Sequence, residues 1–97
     1  MKDAKELYKR IFDEREDILA ELNNANHELD LEKGRKVMLF DLKRGMLGGE
    51  AKDNKYIISD YEDAEKNISK LEHEITEHRE KYEALSYQLE YLKVRVM

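Results

Sequence analysis

The chain contains no cysteine, no proline and no tryptophan. Without cysteine there is no disulfide and no thiolate metal site, which fits a reducing cytoplasm. Without proline, nothing in the sequence forbids a long helix interior. Long apolar runs are also missing: none approaches the roughly 18–20 residues of a membrane span, so no membrane association is expected. The opening MKDAKELYKR carries acids and no apolar stretch, so it does not read as a signal peptide. Catalytic patterns are missing as well. The serines are Ser59, Ser69 and Ser86, none beside a histidine and an acid in a recognisable arrangement. The glycines at 45, 48 and 49 are not followed by the Gly-Lys-Ser/Thr of a phosphate loop. The expectation is a non-enzymatic protein with no cofactor.

Histidine is sparse, and its spacing excludes the obvious metal motif. His73-Glu74-Ile75-Thr76-Glu77-His78 superficially resembles a zinc-protease helix. That motif needs its histidines four apart on one face. A spacing of five turns the second ring about 140° away. No metal site is expected, and His73 with Glu77 and Glu74 with His78 read as ordinary surface pairs.

What the sequence does have is charge and periodicity. Apolar residues make up 40% and charged residues 42% of 97 residues, with a net charge of −5. Little of such a chain can be interior, and the composition suits long helices or coiled coils. Ile57, Tyr61, Ala64, Ile68, Leu71, Ile75, His78, Tyr82, Leu85, Leu89, Leu92 and Val96 follow one another in alternating steps of four and three. Only His78 is polar. This 3.5-residue period predicts a helix pressed along one seam against another helix. Ala4, Tyr8, Ile11, Arg15, Ile18, Leu22, Ala25 and Leu29 form a second such series, with Arg15 as its polar member. Arg15 and His78 read as polar register marks; a pH-sensing role for His78 is the alternative. Beyond Leu29 the steps fall on Glu32 and Lys36, and the apolar residues arrive as a block, Val37-Met38-Leu39-Phe40. The sequence therefore predicts a slip of register near Gly34, where glycine weakens a helix.

The break lies at residues 44–54, where three glycines precede Asp53 and Asn54, either of which suits a helix N-cap. The predicted fold is all-α: helix 1 from about 3 to 43, a turn at about 44–54, and helix 2 from about 55 to 97. Equal arms and a short turn make a long antiparallel two-helix coiled-coil hairpin, in a single domain. With the fold point near residue 49, Tyr8 should lie near Leu89, Ile11 near Leu85 and Leu22 near Ile75. A thin two-helix strip of this size calls for a second copy or a partner. Leu7 and Phe12 on helix 1, with Tyr87, Tyr91 and Val94 on helix 2, lie off the seam. They are the expected interface of a homo-oligomer, in the simplest case a dimer forming a four-helix bundle.

Charge is unevenly placed. Residues 1–31 carry a net of −4, residues 32–55 a net of +3, and residues 56–97 a net of −4. Lys33, Arg35, Lys36, Lys43 and Arg44 crowd the basic centre around Phe40. They are the candidate partner-binding residues. A protein partner with acidic character fits them; phosphates with an unpaired base stacked on Phe40 fit them too, although the acidic arms repel a duplex. The plain alternative is that these cations complement a helix C-terminus.

The stretch from Gly48-Gly49 through Asp53-Asn54-Lys55 to Leu89-Glu90-Tyr91-Leu92-Lys93-Val94-Arg95-Val96 resembles small helical-hairpin proteins encoded by phages and prophages. In that group a glycine-and-asparagine turn with basic residues precedes one long acidic helix. The resemblance covers about half the chain and implies a small accessory factor in a host cytoplasm, among replication and recombination functions. An arginine usual after the turn is replaced here by Tyr56, Ile57 and Ile58, and no functional residue carries over. The expected role is a protein–protein interaction module that engages or blocks a partner through its basic, hydrophobic turn. The alternatives are a nucleic-acid-binding accessory and a purely structural coiled-coil scaffold.

Overall fold

The computed structural model describes residues 2–44 and 55–96. The expected turn glycines and the candidate caps Asp53 and Asn54 lie outside the described residues. Two helices account for nearly all the rest: α1 (Lys2–Lys43) and α2 (Lys55–Val96). Arg44 closes the last turn of α1, its backbone N–H donating to the Phe40 carbonyl at 3.0 Å. Charges suit the helix dipoles: Asp3 sits in the first turn of α1, Lys43 in its last, and Lys93 and Arg95 in the last turn of α2. The fold is all-α, an antiparallel helical hairpin, with no strand among the described residues.

The side chains gather into two compact units, each built from a part of both helices. The terminal unit comprises Met1–Ala25 with Glu74–Met97, and the central unit comprises Asn26–His73. In the terminal unit, Ile11, Ile18, Leu85, Leu89 and Leu92 form the core, with Tyr8 and Tyr82 packed against it. Ala4, Ala25 and Ile75 are buried as well. Every one of these residues lies on the 4-3 series. The two helices run antiparallel here: Arg15 meets Ser86, and further along α1 Glu21 meets His78, further back along α2. Tyr8 and Leu89 line one hollow, and Ile11 and Leu85 share one core, as the fold point near residue 49 requires.

The polar members of the seam are accommodated differently. Arg15 is half-buried. It donates to Ser86 Oγ at 3.2 Å. Its guanidinium lies 5.5 Å from the centre of the Phe12 ring and 5.4 Å from that of Tyr82. Each such contact is worth about 0.5–1 kcal/mol at partly exposed sites, and the aliphatic stem covers apolar surface besides. The Arg15 Nε, however, is shielded from water without a hydrogen-bond partner, and His78 is in the same position. Its Nδ1 is shielded from water and has no hydrogen-bond partner. Glu21, on an exposed side chain, stands 3.6 Å away.

In the central unit, Leu29, Leu39, Ala64 and Leu71 are buried, and Ile57, Tyr61 and Ile68 are half-buried. Glu32 meets Asn67 and Lys36 meets Glu65, which again sets the helices antiparallel. The expected slip of register near Gly34 does not occur. Leu39 falls on the same 4-3 series as Leu29, and Glu32 and Lys36 fill the two intervening steps, both half-buried. Long side chains make this possible by lying along the seam with their polar ends outward. Glu32 accepts from Arg35 at 3.3 Å and from the Asn67 amide at 3.4 Å. Lys36 Nζ stands 3.9 Å from Glu65. Of the apolar block at 37–40, only Leu39 turns inward; Val37, Met38 and Phe40 stay exposed.

α1 continues unbroken through Gly34, whose added Cβ would meet no atom within 4 Å. Gly34→Ala is therefore expected to stabilise the chain by about 0.5–1 kcal/mol, by helix propensity and a less flexible unfolded state. A thermal melt checks this; a lowered midpoint would show that the glycine serves the fold. His78→Leu removes an unsatisfied buried nitrogen and adds apolar surface to the seam. A stability gain on the order of 1 kcal/mol is expected from denaturant unfolding, and a loss would show that the imidazole holds the pairing.

Candidate partner-binding surfaces

Two surfaces carry the off-seam residues, one in each unit. In the central unit, Lys33, Lys36, Val37, Phe40, Tyr61 and Ile68 line an open groove beside the seam, with Glu72 on its rim. Its apolar floor exists because Val37 and Phe40 face out while Leu39 faces in. Phe40 keeps 42% of its surface exposed. Its ring stands 6.2 Å from that of Tyr61, tilted by 38°, within the range of favourable aromatic pairs.

Cations surround this aromatic pair. Lys43 Nζ lies 4.9 Å and Lys36 Nζ 5.8 Å from the centre of the Tyr61 ring. The Arg44 guanidinium lies 5.4 Å from that of Phe40. Lysine and arginine ends held over ring faces are positioned without being buried, so their charge still faces solvent.

Of the six residues the sequence singled out, the structure brings together Lys33, Lys36, Phe40, Lys43 and Arg44. It sets Arg35 apart. Arg35 lies on the other flank of the seam, paired with Glu32 at 3.3 Å and with Asp60 at 3.9 Å. Tyr61 joins the site although the sequence marked it only as a seam residue. The antiparallel register already placed it opposite the Val37–Phe40 block, and that was the available signal. Lys55, at the start of α2, lies 5.7 Å from the Tyr56 ring centre.

In the terminal unit, Leu7, Ile11, Tyr87, Gln88, Tyr91 and Leu92 line a second groove, and Gln88 is its one polar member. Arg95 borders it, with its guanidinium 3.8 Å from the centre of the Tyr91 ring and a hydrogen bond of 3.4 Å to the Tyr91 carbonyl. The expected interface set is thus divided. Leu7, Tyr87 and Tyr91 share one groove. Phe12 is turned about 140° from Leu7 on the helix and lies on the other flank beside Arg15. Val94 is exposed on the outer side of α2 and does not line the groove.

Neither surface is an enclosed reaction chamber. Among the described residues, no cluster of three or more His, Asp or Glu could hold a metal ion. No described helix is long and apolar enough to cross a membrane. Comparison of the chain with protein-family models, with curated proteins and with solved structures gives no match in any of the three.

Proposed function

We propose that this protein is a non-enzymatic protein-binding module that works as a homo-oligomer in the cytoplasm. It acts as a small accessory factor of the phage type that engages or blocks a protein partner. The observation that carries the binding role is the central groove: exposed Phe40 and Val37 beside Tyr61, with Lys36, Lys43 and Arg44 held over the two aromatic rings. Apolar anchors in a shallow groove edged by Lys33, Lys43 and Arg44, with Glu72 the one acid on the rim, suit an amphipathic helix whose apolar residues are flanked mainly by acids. The rim supplies steering and the anchors supply affinity.

A nucleic-acid role is the second reading, favoured by the same aromatic pair. Phe40 and Tyr61 offer a stacking platform for unpaired bases, with cations placed for phosphates. Salt separates the two readings. Binding through roughly five phosphate contacts on a single strand falls steeply with salt, whereas a groove filled by apolar side chains is far less sensitive.

The test uses the full chain as bait for proteins of its native host, and labelled single-stranded DNA as the competing ligand. Protein binding should persist at high salt and weaken about 30-fold or more in Phe40→Ala, as hot-spot truncations do. Lys33→Glu with Lys43→Glu and Arg44→Glu should slow association. Binding of the single strand that collapses with salt would move the assignment to nucleic acid. If protein capture is indifferent to Phe40 and to all three cations, the groove is not the binding surface, and a scaffold role stands instead.

A further inference from the structure

The central groove is unevenly charged along its length, which narrows the choice of partner; this rests on the reading above, in which the groove binds a helix. Lys36 is level with Glu65 and Glu32 with Asn67, and these pairs fix the heights of the other residues. At the turn end, beyond Phe40 and Tyr61, the flanking charges are Lys43, Arg44 and Lys55. Lys43 lies over the Tyr61 ring and Arg44 over that of Phe40. Lys55 precedes Glu62 by one heptad and shares its face of α2. The acids level with these cations are turned elsewhere. Asp60 pairs with Arg35 on the other flank of the seam, and Asp41 is one 100° step past Phe40, away from the groove.

Towards the inner end the balance reverses. Glu72 lines the groove there with Lys33. Asp30 stands one heptad before Val37, on the face that lines the groove. Between the two ends, Glu65 is taken up by Lys36, and Glu62 stands outside the rim. Among the described residues, the turn end of this flank therefore carries three cations and no acid, and the rest of it two cations and four acids. From Asp30 to Arg44 the groove is roughly 20 Å long at the helical rise. That exceeds two Debye lengths of about 8 Å at physiological salt. A ligand charge at one end is thus screened from the other end, and an acid gains or loses according to where along the groove it sits. A helix with acids spread evenly sets some of them beside Asp30, Glu62 and Glu72. A helix with acids gathered at one end sets all of them beside Lys43, Arg44 and Lys55.

We infer that the partner element is an amphipathic helix of about four turns whose acids are gathered at one end, docked with that end at the turn end of the hairpin. Its apolar stripe covers Val37, Phe40, Tyr61 and Ile68. The end that bears the acids sets the direction. A helix acidic at its C-terminus lies parallel to α1, and one acidic at its N-terminus lies antiparallel to it.

Synthetic peptides of about 16 residues test this with the full chain. All share one leucine stripe of helical spacing and a cross-link on the outer face that fixes the helix. The first carries four glutamates on its last two turns, the second spreads the same four along its length, and the third has glutamines instead. Fluorescence anisotropy at physiological salt should show the first binding roughly tenfold tighter than the second, through exposed ion pairs made at one end and repulsions avoided at the other. Phe40→Ala should weaken all three. Lys43→Glu with Arg44→Glu, verified as helical by circular dichroism, should reverse the order of the first two. A nitroxide on the acidic end of the first peptide should lie nearer to a label at Ser59→Cys than to one at His27→Cys. If no peptide binds, or Phe40→Ala changes nothing, the helix-binding reading of the groove falls and this inference with it. If the peptides bind through Phe40 but the first two bind equally, the groove stands and the one-ended placement of acids is overturned. A nitroxide nearer to residue 27 would overturn the docking direction in the same way.

Discussion

A single stripe of side chains along each of two antiparallel helices is the constraint on which everything else depends. Such a stripe is narrow: it buries small and medium apolar residues and leaves the outer faces of both helices in water. Its buried members are Ala4, Ile11, Ile18, Ala25, Leu29 and Leu39 on α1, and Ala64, Leu71, Ile75, Leu85, Leu89 and Leu92 on α2. None of them needs a second layer to fall on the seam. The chain's stability therefore rests on length and regularity rather than on depth, and apolar residues off the stripe are at most half-buried, as Leu19, Leu42 and Ile58 are.

That regularity explains how far the sequence could be read. The α2 series was legible because twelve positions in steps of four and three admit one helical face. The antiparallel pairing followed from equal arms and a break between them. The misreading lay at Glu32 and Lys36. Two charged residues in succession looked like a lost register, because a pattern of apolar letters does not show that a long side chain can lie along a seam and carry its charge outward. The structure keeps the register by giving Glu32 the Arg35 guanidinium and the Asn67 amide, and by giving Lys36 the Glu65 carboxylate. As a consequence Leu39, not the whole block at 37–40, turns inward.

The candidate sites follow the same logic. Lys33, Lys36, Phe40, Lys43 and Arg44 converge because one helix face was already fixed by Leu39. Arg35 departs because it is one step before a seam position rather than after it, which carries it to Asp60. Leu7 and Phe12 part for the same reason. Composition and charge blocks identified these residues, but only the position of each relative to the seam decided which flank it joined. Tyr61 could be assigned to the groove only once the cross-seam pairing was known.

Spin-label distances test the antiparallel pairing most directly, and the cysteine-free chain is a clean background for them. Labels are placed on cysteines at Glu14 and Lys81 in one sample, and at Lys33 and Glu72 in another, each diluted with unlabelled chain. Helices packed side by side should hold both pairs within roughly 20 Å, the interaxial spacing plus two label arms. A single uninterrupted rod would separate the first pair by about 100 Å and the second by about 60 Å at the helical rise per residue. Distances of that order in either sample would contradict the hairpin and every surface assigned to it.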